Sequence, residues 1–139
     1  MNAKTVTYWT TTVLFSLALG AGGAADLALT PDMAAAMEHL GYPEYFAGIL
    51  GAWKLLGVVA LLVPAMPRLK EWSYAGFFFN LTGAAISHLA LGDGVGGVMP
   101  PLVLLSLGAA SWALAPASRQ LGQRLALGST VAPEPALAR

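Results

Sequence analysis

A single lysine lies in the middle of a long apolar segment of this chain, and its position constrains the fold strongly. The segment from Glu44 to Pro64 reads EYFAGILGAWKLLGVVALLVP, and Lys54 is its only charge after Glu44. Such a segment is long enough to cross a bilayer, because about 20 helical residues at about 1.5 Å each span the hydrocarbon core. A charge near the bilayer centre costs about 3 kcal/mol or more unless it is paired or hydrated. We therefore predict a functional role and polar partners for Lys54.

The composition is that of a membrane protein. Of the 139 residues 57% are hydrophobic and 10% are charged, whereas a soluble domain carries about 25% charged residues on its surface. The formal net charge is zero, so the chain lacks the basic surface that binds nucleic acid. It contains no cysteine, which excludes disulfides, thiol redox chemistry, iron–sulfur clusters and cysteine-ligated zinc.

Four apolar spans follow one another along the chain, each near the length of a membrane-crossing helix. They cover Thr5–Ala25, Glu44–Val63, Glu71–Leu91 and Val98–Ala115. We predict an all-α fold in which residues 1–116 form a bundle of four transmembrane helices. Residues 117–139 are expected to form a cytoplasmic tail, helical at first and disordered from Gly128 onward.

Positive charge is restricted to alternate connections between the spans. The first loop carries only acids and the third carries only Asp93. Cytoplasmic segments hold the excess of lysine and arginine in membrane proteins. The pattern therefore predicts four crossings with both termini in the cytoplasm. The positive residues that define it are Lys4, Arg68, Lys70, Arg119, Arg124 and Arg139.

The first loop is predicted to contain a short amphipathic helix. The sequence Thr30-Pro31-Asp32 is a typical helix start, because proline suits the first helical position and an acid suits the first turn. Gly41 favours a helix end. Between them, apolar side chains recur on one face, which we expect to rest on the outer end of the bundle and partly cover it. These side chains are Met33, Ala36, Met37 and Leu40.

Polar side chains near the middle of every span indicate a shared pocket. Each span places one such residue at its midpoint, and residues at matching depth are expected to face one another. These four are Ser16, Lys54, Asn80 and Ser106. The third span also has one small and polar face that repeats at helical spacing. That face consists of Ser73, Gly76, Asn80, Gly83 and Ser87.

The candidate ligand-binding residues follow from this arrangement. We expect Lys54 and Asn80 to form the floor of a pocket in the outer half of the bundle. Its upper wall is expected to contain Asp26, Glu44, Ser87 and His88. No acid is expected at the depth of Lys54, because Asp26 and Glu44 lie about ten residues, or about 15 Å, higher. Three alternatives follow: an acid bends inward, water fills the gap, or Lys54 loses its charge on desolvation.

Other chemistries find little support in the sequence. The two histidines, His39 and His88, both lie towards the outer side, so a bis-histidine haem is not expected. Asp93 stands between glycines and is interpreted as a turn residue. The chain has no HExxH, nucleophile elbow or P-loop. We expect neither a metal nor a covalent cofactor.

The third span and its flanks, LKEWSYAGFFFNLTGAAISHLALGD from Leu69 to Asp93, resemble the DoxX-like family of small bacterial membrane proteins. The stretch Ala52-Trp53-Lys54-Leu55-Leu56-Gly57 resembles the second helix of the same family. The similarity extends over all four spans and leaves the tail outside. The family pattern falls on Lys54, Gly57, Lys70, Glu71, Trp72, Tyr74, Asn80, Ser87, His88 and Asp93.

The resemblance implies a four-helix protein of the bacterial inner membrane, in a family without an agreed catalytic residue. Namesake members are associated with quinone-linked sulfur oxidation or with oxidative-stress complexes, and more distant relatives with membrane chaperoning of receptors. Three functions therefore compete. The chain either binds a quinone or another lipid-like molecule, or serves as a non-catalytic assembly protein, or is an enzyme that uses His88 or Asp26 on a lipophilic substrate.

The expected partners are membrane lipids and a lipophilic small molecule, with no nucleic acid. A homodimer is favoured by Gly48 and Ala52, because a small-xxx-small pair permits close contact between helices in a membrane. An open pocket beside Lys54 would favour ligand binding or catalysis, whereas a closed core would favour the assembly role.

The topology can be tested with single cysteines in this cysteine-free chain. An Ala36→Cys protein should react with a membrane-impermeant maleimide added from outside, whereas Gly128→Cys should react only after the membrane is permeabilised. The unsubstituted protein controls for background labelling. Reaction of both positions from the same side would contradict the predicted topology.

Overall fold

The computed structural model describes residues 3–64 and 66–121. These residues form five α-helices and one short 3-10 helix, and no strand occurs among them. The elements are α1 (Ala3–Leu27), α2 (Pro31–Leu40), α3 (Glu44–Leu62), α4 (Pro67–Leu91), α5 (Gly94–Ala113) and the 3-10 helix Ala117–Arg119. The fold class is thus all-α, as the sequence predicts. Most of the expected tail helix and the whole segment from Gly128 onward lie outside the described residues.

Three of the described helices, α1, α3 and α5, are long and apolar enough to cross a membrane. Helix α4 has 25 residues and is not one of them. Its hydropathy is lower because it carries Asn80, His88 and several hydroxyl side chains. Helix α4 nevertheless packs beside the apolar helices as a full member of the bundle.

The four long helices form a ring in the order α1, α3, α4 and α5. Its centre is filled from the two diagonal helices by Phe15 of α1 and Phe77 of α4, whose rings meet edge to face at 5.5 Å. Each ring lies against a glycine of a neighbouring helix, Phe15 against Gly108 and Phe77 against Gly57. A larger residue at either glycine would collide with the ring. The remaining fully buried members of this core are Leu19, Leu61 and Leu81.

Helices α1 and α3 approach each other closely through two glycines. A Cβ atom on Gly51 would lie 2.6 Å from the Gly23 carbonyl oxygen and 2.7 Å from the Leu27 nitrogen. The end of α1 therefore lies beside Gly51, seven residues after α3 begins. Helix α3 extends about two turns beyond α1 at this end, so the helices do not end at one level.

At the opposite end of the bundle, where α1 begins and α5 ends, polar side chains connect the helices. The Ser111 hydroxyl forms hydrogen bonds with Thr12 at 2.6 Å and with Tyr74 at 2.7 Å. These contacts join α1, α4 and α5. The Arg119 guanidinium lies 4.6 Å from the centre of the Trp9 ring, so the chain just after α5 packs back onto α1.

Lys70 does not lie in a loop, where the sequence analysis places it. Helix α4 begins at Pro67, and Lys70 is only 3% exposed. Its ammonium group donates to the carbonyls of Ala60 at 3.1 Å and Leu61 at 2.7 Å, and also to Val63. Carbonyls at a helix end have no partner within the helix. Lys70 therefore caps the end of α3 and connects it to α4.

Replacing Gly51 with alanine should destabilise the protein, because the new methyl group meets the backbone of α1 rather than a movable side chain. Overpacking of this kind costs about 1–3 kcal/mol, which thermal unfolding in detergent would record as a lower midpoint. Gly22→Ala is the matched control, since a Cβ atom there has open space within 4 Å. Equal midpoints for the two variants would contradict the close approach of α1 and α3.

Candidate functional site

A cavity of about 980 Å³ lies between α3 and α4 and beneath α2. It extends along most of α4, from Leu69 near the start of the helix to His88 near its end. Apolar side chains form most of the wall. Helix α2 covers one end, since it packs against both α3 and α4. All four apolar residues predicted for one face of α2 line the cavity: Met33, Ala36, Met37 and Leu40.

Lys54 forms an ion pair with Asp26 in the wall of this cavity. The distance from Lys54 Nζ to Asp26 Oδ2 is 2.7 Å, and the two side chains are 19% and 1% exposed. Both residues line the cavity. The expectation that no acid lies at the depth of Lys54 is therefore wrong, and of the three alternatives the structure has the one in which an acid reaches the lysine. It assumed that all helices end at one level, whereas α1 ends beside Gly51 and places Asp26 about one turn from Lys54.

Only one of the two Asp26 carboxylate oxygens receives a hydrogen bond from the described residues. Oδ2 accepts the hydrogen bond from Lys54, but Oδ1 is buried and has no hydrogen-bond partner among the described residues. An ionised carboxylate has room for several hydrogen bonds and can only accept them. Burial of such an oxygen without a donor is costly. Asp26 Oδ1 is thus a buried acceptor without a donor, in a residue that lines the cavity.

Helix α4 contributes three of the predicted site residues to the cavity, namely Asn80, Ser87 and His88. Asn80 and Ser87 lie seven residues apart on the small face of α4, and His88 flanks this face. The Ser87 hydroxyl bonds with the Tyr42 hydroxyl at 2.8 Å, which attaches the end of α2 to α4.

Glu44 is not brought to the site. It is exposed in the first turn of α3 and is not among the cavity residues. Ser106 is exposed and bonds to the Leu102 carbonyl of its own helix. Ser16 is buried in the core and does not line the cavity either. The four midpoint residues therefore do not converge on one pocket, because two of them face other directions.

Asp93 joins two histidines at the α2 end of the bundle. Its Oδ2 lies 2.6 Å from His88 Nδ1, and its Oδ1 lies 2.7 Å from His39 Nε2. Gly92 ends α4 in the left-handed conformation, with φ of 73°. The turn folds Asp93 back over α4, where its backbone nitrogen donates to the His88 carbonyl. Gly97 is required beside this cluster, since a Cβ atom there would lie 2.8 Å from the His88 ring.

This cluster corrects the interpretation of Asp93 as a turn residue alone. The hydrogen bond from His88, followed by that from His39, holds the pKa of Asp93 below its ordinary value of 3.8. The sequence offers one clue, the five-residue spacing of His88 and Asp93 across a helix-ending glycine. It offers none for His39, because α2 is distant along the chain and its placement depends on packing.

Most of these residues lie within one family pattern. A model of the DoxX-like family matches residues 10–111, which is most of the chain. The chain belongs to the DoxX-like family. The matched region includes the whole cavity and the Asp93 cluster. Family membership and the apolar helices identify a transmembrane protein. No curated protein and no solved structure shows significant similarity to this DoxX-like protein.

The Asp93 cluster should make stability depend on pH in the acid range. Because the pKa of Asp93 is lowered by folding, its contribution is present above the ordinary value of 3.8 and is lost as the pH falls through the folded value. Asp93→Asn should therefore lower the unfolding midpoint at neutral pH, and the difference from wild type should shrink with acidification. Asp32→Asn, at an exposed acid of α2, is the control. A difference that stays constant down to pH 3 would contradict this role.

Proposed function

We propose that this DoxX-like protein binds a lipophilic, quinone-like molecule in the cavity between α3 and α4 and has a redox-associated role. The observation that carries the proposal is a long apolar cavity with the Lys54–Asp26 ion pair in its wall. Small-molecule sites are typically about 300–1,000 Å³, mostly apolar, with a few placed polar groups. The cavity has this character. The redox association rests on similarity to the namesake members of the family.

The rim of the cavity supports access from the lipid. Large aromatic side chains that line it are also turned outward, with exposures of 69% for Trp53, 77% for Trp72 and 71% for Phe79. In water such an exposed patch would be unfavourable, whereas lipid chains solvate it. A ligand dissolved in the bilayer therefore needs no aqueous route to reach Lys54.

We place α4 across the membrane as a fourth span. Its 25 residues give a length of about 37 Å, which exceeds the hydrocarbon thickness of about 30 Å. Its polar face lines the cavity. With the alternating lysine and arginine pattern, this gives both termini in the cytoplasm of a bacterial cell and α2 at the outer face of the inner membrane.

A homodimer is consistent with this arrangement. A Cβ atom on Gly48 would have open space within 4 Å of the described residues, and Ala52 is exposed. The small-residue pair therefore lies on the outer side of α3, where a second copy can approach it. This contact is separate from the ligand proposal and does not depend on it.

Filling the cavity should remove the ligand without unfolding the protein. Gly76 and Gly83 line the cavity, and a Cβ atom at either has open space within 4 Å. Gly76→Leu and Gly83→Leu should each place a side chain where the ligand lies. We expect lipophilic molecules that co-purify with wild type, measured by mass spectrometry of solvent extracts, to fall about tenfold or more, since overlap excludes binding.

The matched control for these variants is Gly20→Leu. Gly20 also has open space around its Cβ position but does not line the cavity. It should keep the full amount of co-purified ligand, and all three variants should unfold near the wild-type midpoint. Retention of the ligand by folded Gly83→Leu would contradict binding in this cavity. If wild type carries no lipophilic molecule at all, the assembly role becomes the better explanation.

A further inference from the structure

The ion pair determines which head group suits the cavity, an inference that rests on the function proposed above. A lone lysine in an apolar cavity would select an anionic head group, such as a carboxylate. Here Asp26 lies 2.7 Å from Lys54, so the pair carries no net charge. One of the three N–H donors of Lys54 is used by Asp26. Within residues 3–64 and 66–121 no other acceptor bonds to it, so two donors remain for a ligand.

Asp26 Oδ1 is a buried acceptor that receives no hydrogen bond from the described residues. Its side chain is 1% exposed, it lines the cavity, and Oδ1 has no donor among the described residues. A carboxylate oxygen in this position accepts a hydrogen bond and repels another acceptor. A ligand that donates a proton to Oδ1 removes the cost of an unsatisfied buried acceptor.

His88 also lines the cavity, near the end of α4. Its Nδ1 lies 2.6 Å from the Asp93 carboxylate, which can only accept, so Nδ1 carries the hydrogen. The polar part of the wall thus includes an acceptor from Asp26 and donors from Lys54.

We propose that the cavity selects lipophilic molecules with a neutral hydroxyl head group, an alcohol or a phenol. For a quinone-like ligand this means the reduced quinol, because the oxidised quinone has acceptor oxygens only and donates no hydrogen. The hydroxyl hydrogen is donated to Asp26 Oδ1, and the hydroxyl oxygen accepts from Lys54 Nζ. One O–H group therefore satisfies both members of the pair at once. The hydrocarbon part of the molecule occupies the apolar length of the cavity between α3 and α4.

Charged head groups fit this site less well. A carboxylate head would place a second anion beside Asp26 Oδ1 and would supply no hydrogen. An ammonium head would donate to Oδ1 but would lie beside the Lys54 ammonium, and like charges repel strongly at this separation. An ether keeps the acceptor oxygen but has a carbon in place of the hydroxyl hydrogen, so it donates nothing and leaves Oδ1 unsatisfied.

Three probes with one tail test the head-group preference on unaltered protein. They are para-dodecylphenol, its methyl ether and para-dodecylbenzoate, each titrated into delipidated protein in detergent at neutral pH. We expect the phenol to bind about 10- to 100-fold more tightly than the ether, because a site built around a hydrogen bond rejects analogues that lack it. The benzoate should also bind more weakly than the phenol. Equal affinity for phenol and ether, or tighter binding of the benzoate, would overturn the proposal.

The Asp26→Asn variant supplies a second measurement. It removes the negative charge and leaves Lys54 as an unbalanced cation, so the preference should reverse in favour of the benzoate. A folded variant that still prefers the phenol by the wild-type factor would contradict the role of Asp26. A different result would show that the probes do not bind in the cavity at all. In that case Gly83→Leu would leave the affinity for all three probes unchanged, whatever head group they carry.

Discussion

The ion pair between Lys54 and Asp26 is the interaction on which much of this structure depends. Two charges in an apolar bundle are costly apart, and removal of one partner from a buried pair costs about 3–5 kcal/mol. The pair joins α1 to α3 at the place where Gly23 and Gly51 allow the two backbones to meet. It also forms part of the cavity wall. Helix packing and the chemistry of the candidate site therefore depend on the same two residues.

Polar contacts at the two ends of the bundle complement this pair. At one end, Lys70 caps α3 from the first turn of α4. At the other, Asp93 and Ser87 hold α2 through His39 and Tyr42. Between the ends, the cavity runs along α3 and α4, which also meet where Phe77 packs on Gly57. The helices are thus held together at a few places, while the cavity beside these contacts stays open to a ligand.

Helix α2 is attached differently from the long helices. Among its described side chains only Met37 is fully buried, and its hydrogen bonds through His39 and Tyr42 are exposed. Elements with few buried contacts open at a lower free-energy cost than the core. Helix α2 covers one end of the cavity. Local opening of α2 would therefore change ligand access without disturbing the ring of four long helices.

The sequence was sufficient for features set by local patterns. Apolar runs of about 20 residues predict the long helices, and the Pro31 start with the Gly41 end predicts α2 at its observed bounds. Lys54 stood out because a charge in such a run needs a partner. The partner itself could not be identified, because the offset between α1 and α3 depends on glycine contacts distant in the chain. The same holds for Lys70 and Asp93, whose partners are set by how helices pack.

A double-mutant cycle between Asp26 and Lys54 tests the central interaction most directly. The measurement is the free energy of unfolding of wild type, Asp26→Leu, Lys54→Met and the double variant in one detergent. Each single variant should lose about 3–5 kcal/mol, because it leaves one buried charge unpaired. The double variant should lose far less than the sum of the two, since no charge remains. Losses that simply add would show that the two residues do not interact and would contradict the ion pair.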